Sequence, residues 1–291
     1  MGEQTSARQS ARHANQNARH ARIVFCDMDG TFLASDKSIP PENFAILDEL
    51  GARGIEFVPC TGRPVSAIPE EVRAHPAVHY AIAANGAIVE DLVAGKTLRC
   101  APISKRSVLE LYERVRDWPL TFDVFADGGV YSERARYDSM GSLGLRPAML
   151  AMLRRVRQPV DLDVPQIVAR AQYVEKITCF FGDLSVRERV VREADEVGGL
   201  SYACGDPSDV ELMAPGVSKG EALEWLCGYV GIPVSCAVAF GDEDNDVSML
   251  LAAGDGVAMA NASESVRRHA DHVAATNDEA GVARYLADCC F

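Results

Sequence analysis

The stretch RIVFCDMDGTFL, residues 22–33, runs from a β-branched and aromatic segment straight into two carboxylates two positions apart. A short apolar run closed by a turn signal reads as a buried strand. The chain therefore enters a sheet near Ile23 and leaves it at Asp27 and Asp29. Gly30 permits a tight turn, and Thr31 can cap the next segment. An Asp-Gly turn is common, so the pair needs company before it means more.

The rhythm that continues outward supplies the fold. A helix is expected from Pro41, a good first-turn residue, through ENFAILDELGARG. IEFVPC (55–60) is the next strand, a helix begins near Pro64, and YAIAA (80–84) is a third strand ending in NGA. Strand, helix, strand, helix, strand at this spacing indicates βαβ units and a parallel sheet. From about residue 89 the pattern becomes irregular, with hairpin-like turns at VAG and ADGG. Helical stretches are expected near 104–117, 146–156 and 185–197. At about residue 209 the earlier alternation returns. The expected organisation is an α/β domain formed by 23–88 and 209–291, with a separate α+β domain of 89–208 inserted into it.

The chain has 291 residues, enough for two domains, and its 48% hydrophobic and 24% charged residues are the balance of a globular protein. The net charge of −13 disfavours nonspecific binding to nucleic acid or to anionic membranes. No apolar run approaches the roughly 18 residues of a membrane-spanning helix. Nine cysteines form no C-x-x-C pair, which suggests a reducing, cytoplasmic setting. Residues 1–22 hold four Arg, one Glu and no Leu, Ile, Val or aromatic residue, so a disordered tail is expected there.

Four places carry groups suited to chemistry. Asp27 and Asp29 end the first strand. Thr61 and Gly62 end the second, where a hydroxyl, an amide and a helix start suit an anionic oxygen. Lys219, in GVSKGEAL, stands in the first turn of a helix, against its dipole, and so calls for an anion or a carboxylate as partner. Finally AVAFGDEDNDVSML, residues 237–250, crowds Asp242, Glu243, Asp244 and Asp246 together with only Asn245 between them. In a parallel sheet these strand ends share one edge, the edge at which open α/β sheets bind ligands. Asp27, Asp29, Asp242 and Asp246 would then converge, which is costly without a cation. Oxygen ligands of this kind suit Mg²⁺. The EF-hand pattern fails because Val247 stands where its glycine belongs.

DMDGT, TGR, VSKG and GDEDND, in that order, resemble the four motifs of the haloacid dehalogenase (HAD) superfamily of phosphohydrolases. AANGA, GVSKGEAL, AFGDEDNDVSML, GVAMANA and TNDEAGVARYL are similar to its Cof-type, subfamily IIB, sugar-phosphatase-like members. Only 34 positions separate Asp27 from Thr61, whereas 158 separate Thr61 from Lys219. That gap is where the subfamily carries its C2B-type cap.

The resemblance implies a Rossmann-like core with an α+β cap and a Mg²⁺-dependent phosphatase acting on small phosphorylated metabolites such as sugar phosphates. It further implies that Asp27 is the nucleophile, forming an aspartyl-phosphate, and that Asp29 is the general acid and base. Asp27, the Asp29 carbonyl and Asp242 would hold the metal. Thr61, Gly62, Lys219 and Asn245 would bind the phosphoryl group, with Asp246 supporting from behind. The core motifs are equally compatible with a phosphomutase or phosphotransferase; a non-catalytic phosphometabolite-binding protein is the remaining alternative. A monomer and a homodimer are both compatible with the sequence.

Overall fold

The structure is a computed structural model that describes residues 21–204 and 207–289. Residues 1–20 of the expected tail lie outside the described residues. Arg22, assigned to that tail, instead joins the fold: its amide donates to the Cys236 carbonyl (2.9 Å) and its carbonyl accepts from the Glu56 amide (3.1 Å). A backbone flanked on both sides by strands takes up pairing whatever its side chain.

Among the described residues fourteen strands are formed. In chain order they are β1 (Ile23–Asp27), β2 (Glu56–Cys60), β3 (Tyr80–Ala83), β4 (Ile88–Asp91), β5 (Lys96–Cys100), β6 (Asp123–Ala126) and β7 (Gly129–Glu133). These are followed by β8 (Gln158–Val160), β9 (Val174–Phe180), β10 (Ser201–Ala203), β11 (Asp209–Met213), β12 (Ala237–Gly241), β13 (Asp255–Ala258) and β14 (His272–Val273). They make two sheets, of eight strands in the order β14-β13-β12-β1-β2-β3-β4-β5 and of six in the order β10-β11-β9-β6-β7-β8. The chain divides into two compact units. One holds the described residues up to Arg63, Ile68–Arg99 and those from Ser218 on; the other holds Pro64–Ala67 and the described residues of Cys100–Val217.

In the first unit β1 lies between β2 and β12, parallel to both. Successive connections run one way from β1 to β3 and the other way from β12 to β14, so the winding reverses between β1 and β12. At such a reversal the loops at the carboxyl ends splay apart and leave a crevice. Side chains of β1 alternate between the two faces of the sheet. Val24 and Cys26 pack with Phe57, Val238 and Phe240, whereas Ile23 and Phe25 pack with Val58, Ile82 and Ala239. All five β1 residues are buried, as a central parallel strand covered on both faces requires. Each of these large side chains contributes about 1.5–3 kcal/mol by leaving water. Arg99, at the end of β5, donates to both carboxylate oxygens of Glu221 in the helix Lys219–Val230, at 2.6 and 2.7 Å.

The second unit is built on the six-stranded sheet. Its pairs are antiparallel except that β7 and β8 run parallel. Helices Lys105–Val115, Val164–Arg170 and Ser185–Val197 pack with the β6, β9 and β11 side chains in one core. The helix Val164–Arg170 had no expectation attached to it; Asp163 caps it by accepting from the Gln166 amide at 2.8 Å. The expected boundaries at 89 and 209 differ from this division. β4 pairs antiparallel with β3 and β5 follows it in the eight-stranded sheet, while β11 pairs with β9 in the six-stranded one. The reason is physical. A hairpin that extends a parallel sheet and a hairpin that opens a new domain show the same alternation, and DVELM reads as a buried strand in either sheet.

Candidate active site

The carboxyl ends of β1, β2 and β12 bring the expected residues together. Asp27 ends β1, and the chain turns sharply after it: the Asp27 and Met28 carbonyls accept from the Phe32 and Leu33 amides at 3.1 and 2.8 Å. Gly30 holds φ +82°, and a Cβ there would lie 2.2 Å from a carboxylate oxygen of Asp242, so only glycine lets the turn approach this closely. Asp242 follows β12 directly. Its Oδ1 accepts from the Thr31 hydroxyl at 2.7 Å, and its Oδ2 lies 3.4 Å from the Asn261 amide nitrogen.

Lys219 begins the helix that Ser218 caps by accepting from the Glu221 amide. Its ammonium group lies 2.6 Å from Asp27 Oδ1 and 2.6 Å from Asp246 Oδ1, with its side chain wholly buried. The anion that its position against the helix dipole called for is thus a pair of carboxylates. Burial alone would lower its pKa, but Asp246 and Asp27 outweigh that and raise it. Asp246 is held on its other side by the amides of Asp242 and Glu243, at 2.9 and 3.0 Å. Both its oxygens are therefore engaged.

Asp27, Asp242 and Asp246 each offer an oxygen within 4.8 Å of the other two, and all three are buried. Three carboxylates face the one ammonium of Lys219, which leaves excess negative charge in a place shielded from water. The proton affinities register it. Burial, then the neighbouring carboxylates, lift Asp27 well above the usual carboxylate range against the pull of Lys219. Burial and then Asp246 push Asp242 up to about 7, with Thr31 and Lys219 opposing. A divalent cation relieves that excess, and hard oxygen donors of this kind suit one. The residues present fit such an ion.

Asp29 points elsewhere. Its carboxylate pairs with the Arg63 guanidinium and with the Lys37 ammonium, the latter at 2.8 Å. Burial alone would raise its pKa, but Arg63 and Lys37 prevail and hold it below the ordinary range. Its side chain is therefore absent from the three-carboxylate group, where Asp246 stands instead. Thr61, buried at the end of β2, accepts from the Arg63 amide through its hydroxyl oxygen at 3.1 Å, and Gly62 lies between them, half-buried. Asn245 donates to Asn85 Oδ1 at 3.3 Å. Glu243 and Asp244 are exposed.

The sequence profile of the haloacid dehalogenase-like hydrolases matches residues 24–286. The chain belongs to this family. It is 28% identical to phosphatase YwpJ of Bacillus subtilis, over 91% of this chain and 98% of that protein. It is 27% identical to pyridoxal phosphate phosphatase YbhA of Escherichia coli, over 91% of this chain and 97% of that protein. A HAD subclass IIB sugar phosphatase of known structure shares the fold, with TM-score 0.79 at 21% identity, covering 92% of this chain and 98% of its own. The core-plus-cap architecture expected from the motifs is the fold of this hydrolase.

Sequence reasoning missed several residues that the structure places beside these carboxylates. Arg63 lies inside TGR, where Thr and Gly alone suggested an anion site; a cation next to them in the chain was the available signal. Asn261 lies inside GVAMANA and donates to the Gly30 carbonyl at 2.8 Å, bracing the turn. Lys37 carried no signal, since a loop lysine is ordinarily solvated. No helix among the described residues is long and apolar enough to cross a membrane.

Proposed function

We propose that this hydrolase is a Mg²⁺-dependent phosphatase of small phosphorylated metabolites that works through a phosphorylated Asp27. The observation that carries this reading is the joint placement of Asp27, Lys219 and Asp242 at the reversal of the sheet, with Asp29 on a separate pair of cations. A carboxylate whose charge is partly offset can approach an anionic phosphate, and Lys219 supplies part of that offset at 2.6 Å.

In the first step an Asp27 oxygen bonds to phosphorus as the bond to the leaving alkoxide breaks. Asp29 gives the alkoxide its proton, then takes one from the water that cleaves the Asp27–phosphorus linkage. Its ionised resting form suits the second step. For the first, an incoming phosphate also attracts the Arg63 and Lys37 cations that hold its pKa down, so Asp29 takes up a proton from solvent as the substrate binds and has it to give to the alkoxide. Thr61, Gly62, Lys219 and Asn245 hold the transferring phosphoryl oxygens, and Asp246 keeps Lys219 in place. Asp27, Asp242 and the Asp29 carbonyl would hold the Mg²⁺, which when bound would stabilise charge on the phosphoryl group.

The substrate class is a monophosphate of a small polar molecule, with sugar phosphates and pyridoxal 5′-phosphate first in order of trial. Phosphate release measured across a panel of such esters, with and without Mg²⁺, tests the reading. Turnover of at least one that stops on chelation is expected. Turnover indifferent to Mg²⁺, or none on any ester, would contradict it.

A further inference from the structure

Residues 83–87, AANGA, leave β3 through three successive left-handed backbones: Ala84 at φ 48°, Asn85 at 58° and Gly86 at 99°. Side chains with a Cβ avoid this region, so two such residues in a row persist only where their surroundings impose it. The surroundings here are the site itself. The Ala84 amide donates to the Arg63 carbonyl at 3.0 Å, and the Asn85 amide to the Thr61 carbonyl at 3.1 Å. Gly86 packs so closely on the residue before Lys219 that a Cβ would lie 2.2 Å from the Ser218 carbonyl oxygen. The turn is thus tied both to the loop after β2 and to the start of the Lys219 helix.

What the turn delivers is the Asn85 side chain, 1% exposed, whose Oδ1 accepts from Asn245 Nδ2 at 3.3 Å. Asn245 Oδ1 is itself buried and has no hydrogen-bond partner among the described residues. A carboxamide has a donor edge and an acceptor edge of nearly equal shape, and either can face a neighbour. An anion site needs the donor edge. The acceptor Asn85 Oδ1 selects it, because a flipped Asn245 would set two carbonyl oxygens against each other. The buried, unpaired Oδ1 of Asn245 fits an orientation imposed from the Asn85 side rather than chosen by its own acceptor.

We propose that Asn85 is a positioning residue that fixes the Asn245 amide with its NH₂ edge committed to donation. One N–H is spent on Asn85 and the other is kept for a phosphoryl oxygen. The strained turn at 84–86 holds Asn85 to that task. This inference rests on the reading of Asn245 as a phosphoryl ligand.

The test compares the Mg²⁺-loaded wild type with Asn245→Ala, Asn85→Gly and the double variant. It reads KM for an aryl phosphate and competitive inhibition by inorganic phosphate. Glycine accepts the left-handed backbone at 85, so Asn85→Gly removes the amide without adding strain. Asn245→Ala should weaken phosphate inhibition about tenfold, and Asn85→Gly about fivefold. In the Asn245→Ala background Asn85→Gly should add less than about twofold, since its target is gone. Asn85→Ser, too short to reach Asn245, serves the same arm if the glycine variant does not fold. An undiminished effect of Asn85→Gly in the Asn245→Ala background overturns the positioning role while leaving Asn245 a ligand. So does wild-type inhibition in Asn85→Gly. Unchanged phosphate inhibition in Asn245→Ala overturns the ligand reading and the inference with it.

Discussion

Lys219 and Asp246, 27 positions apart in the chain, meet at 2.6 Å with neither side chain exposed to solvent. The same ammonium reaches Asp27, also at 2.6 Å, so one buried cation serves two buried anions. Removing it leaves both without their counter-charge. Lys219→Met should cost about 3–5 kcal/mol of stability, the range for breaking a buried ion pair from one side. Urea unfolding without divalent metal measures it. A cost under about 1 kcal/mol would show that the carboxylates are accommodated otherwise.

Asp27→Asn should behave in the opposite way. It removes a charge from a crowded cluster and keeps nearly the same shape, so the midpoint of unfolding should not fall. Hydrolysis of an aryl phosphate should drop by roughly 10⁴-fold or more, the scale of losing a nucleophile. Retained turnover would exclude Asp27 from that role.

Metal should report on the same cluster through stability. Mg²⁺ at about 100 times its dissociation constant adds roughly 2.7 kcal/mol to a protein that binds it only when folded. The melting temperature of the wild type should rise accordingly, and that of Asp242→Asn should rise little. An equal rise in both proteins would move the binding site elsewhere.

Two glycines separate backbone strain from crowding. Gly30→Ala meets both a φ of +82° and a carboxylate oxygen at 2.2 Å, whereas Gly54→Ala meets φ +66° in open space. Gly54→Ala should cost about 1 kcal/mol and leave activity intact. Gly30→Ala should cost more and displace Asp242, removing the Mg²⁺ response. Equal behaviour of the two variants in denaturation and assay would refute the close approach.

Asp255 offers a pH dependence distant from the chemistry. It is buried on β13; its Oδ2 accepts from the Tyr285 hydroxyl at 2.8 Å, and its Oδ1 lies 3.7 Å from His272 Nε2. Burial lifts its pKa, with Tyr285 and His272 opposing. The folded protein therefore keeps this proton to a higher pH than the unfolded chain does. Between the two pKa values the folded form binds more protons, so this group's contribution declines as pH rises from about 4. Asp255→Asn keeps an acceptor for Tyr285 but has nothing to ionise. Its stability relative to wild type should improve with rising pH until the folded pKa is passed. A difference that stays constant from pH 4 to 8 would contradict the shift.

The residues differ in how far the sequence disclosed them. Asp27, Thr61, Lys219 and Asp242 were legible because each stands where an apolar strand or a helix start ends its pattern, and parallel pairing carries such ends to one edge. The partners of Asp29 were not legible. Whether a carboxylate at a strand end turns toward the cluster or toward Arg63 and Lys37 is decided by a loop rotation that leaves no periodic trace. Asn85 reads only as part of a turn, because three successive left-handed backbones leave no trace in a hydropathy pattern. The limits of the inserted unit were misplaced for a related reason. β4 and β11 satisfy the local rules of either sheet, and only non-local pairing assigns them.

The two hydrogen bonds from Arg99 to Glu221 have a consequence for how such a chain can change. They fasten the place where the polypeptide departs for residues 100–217 to the helix on which it comes back. The ends of that long segment are thus tied to each other within the first unit, whatever its length or content. Asp27, Asp242 and Asp246 belong to the same unit as Arg99 and Glu221, so heredity can rewrite the long segment without rewriting the strands that carry them.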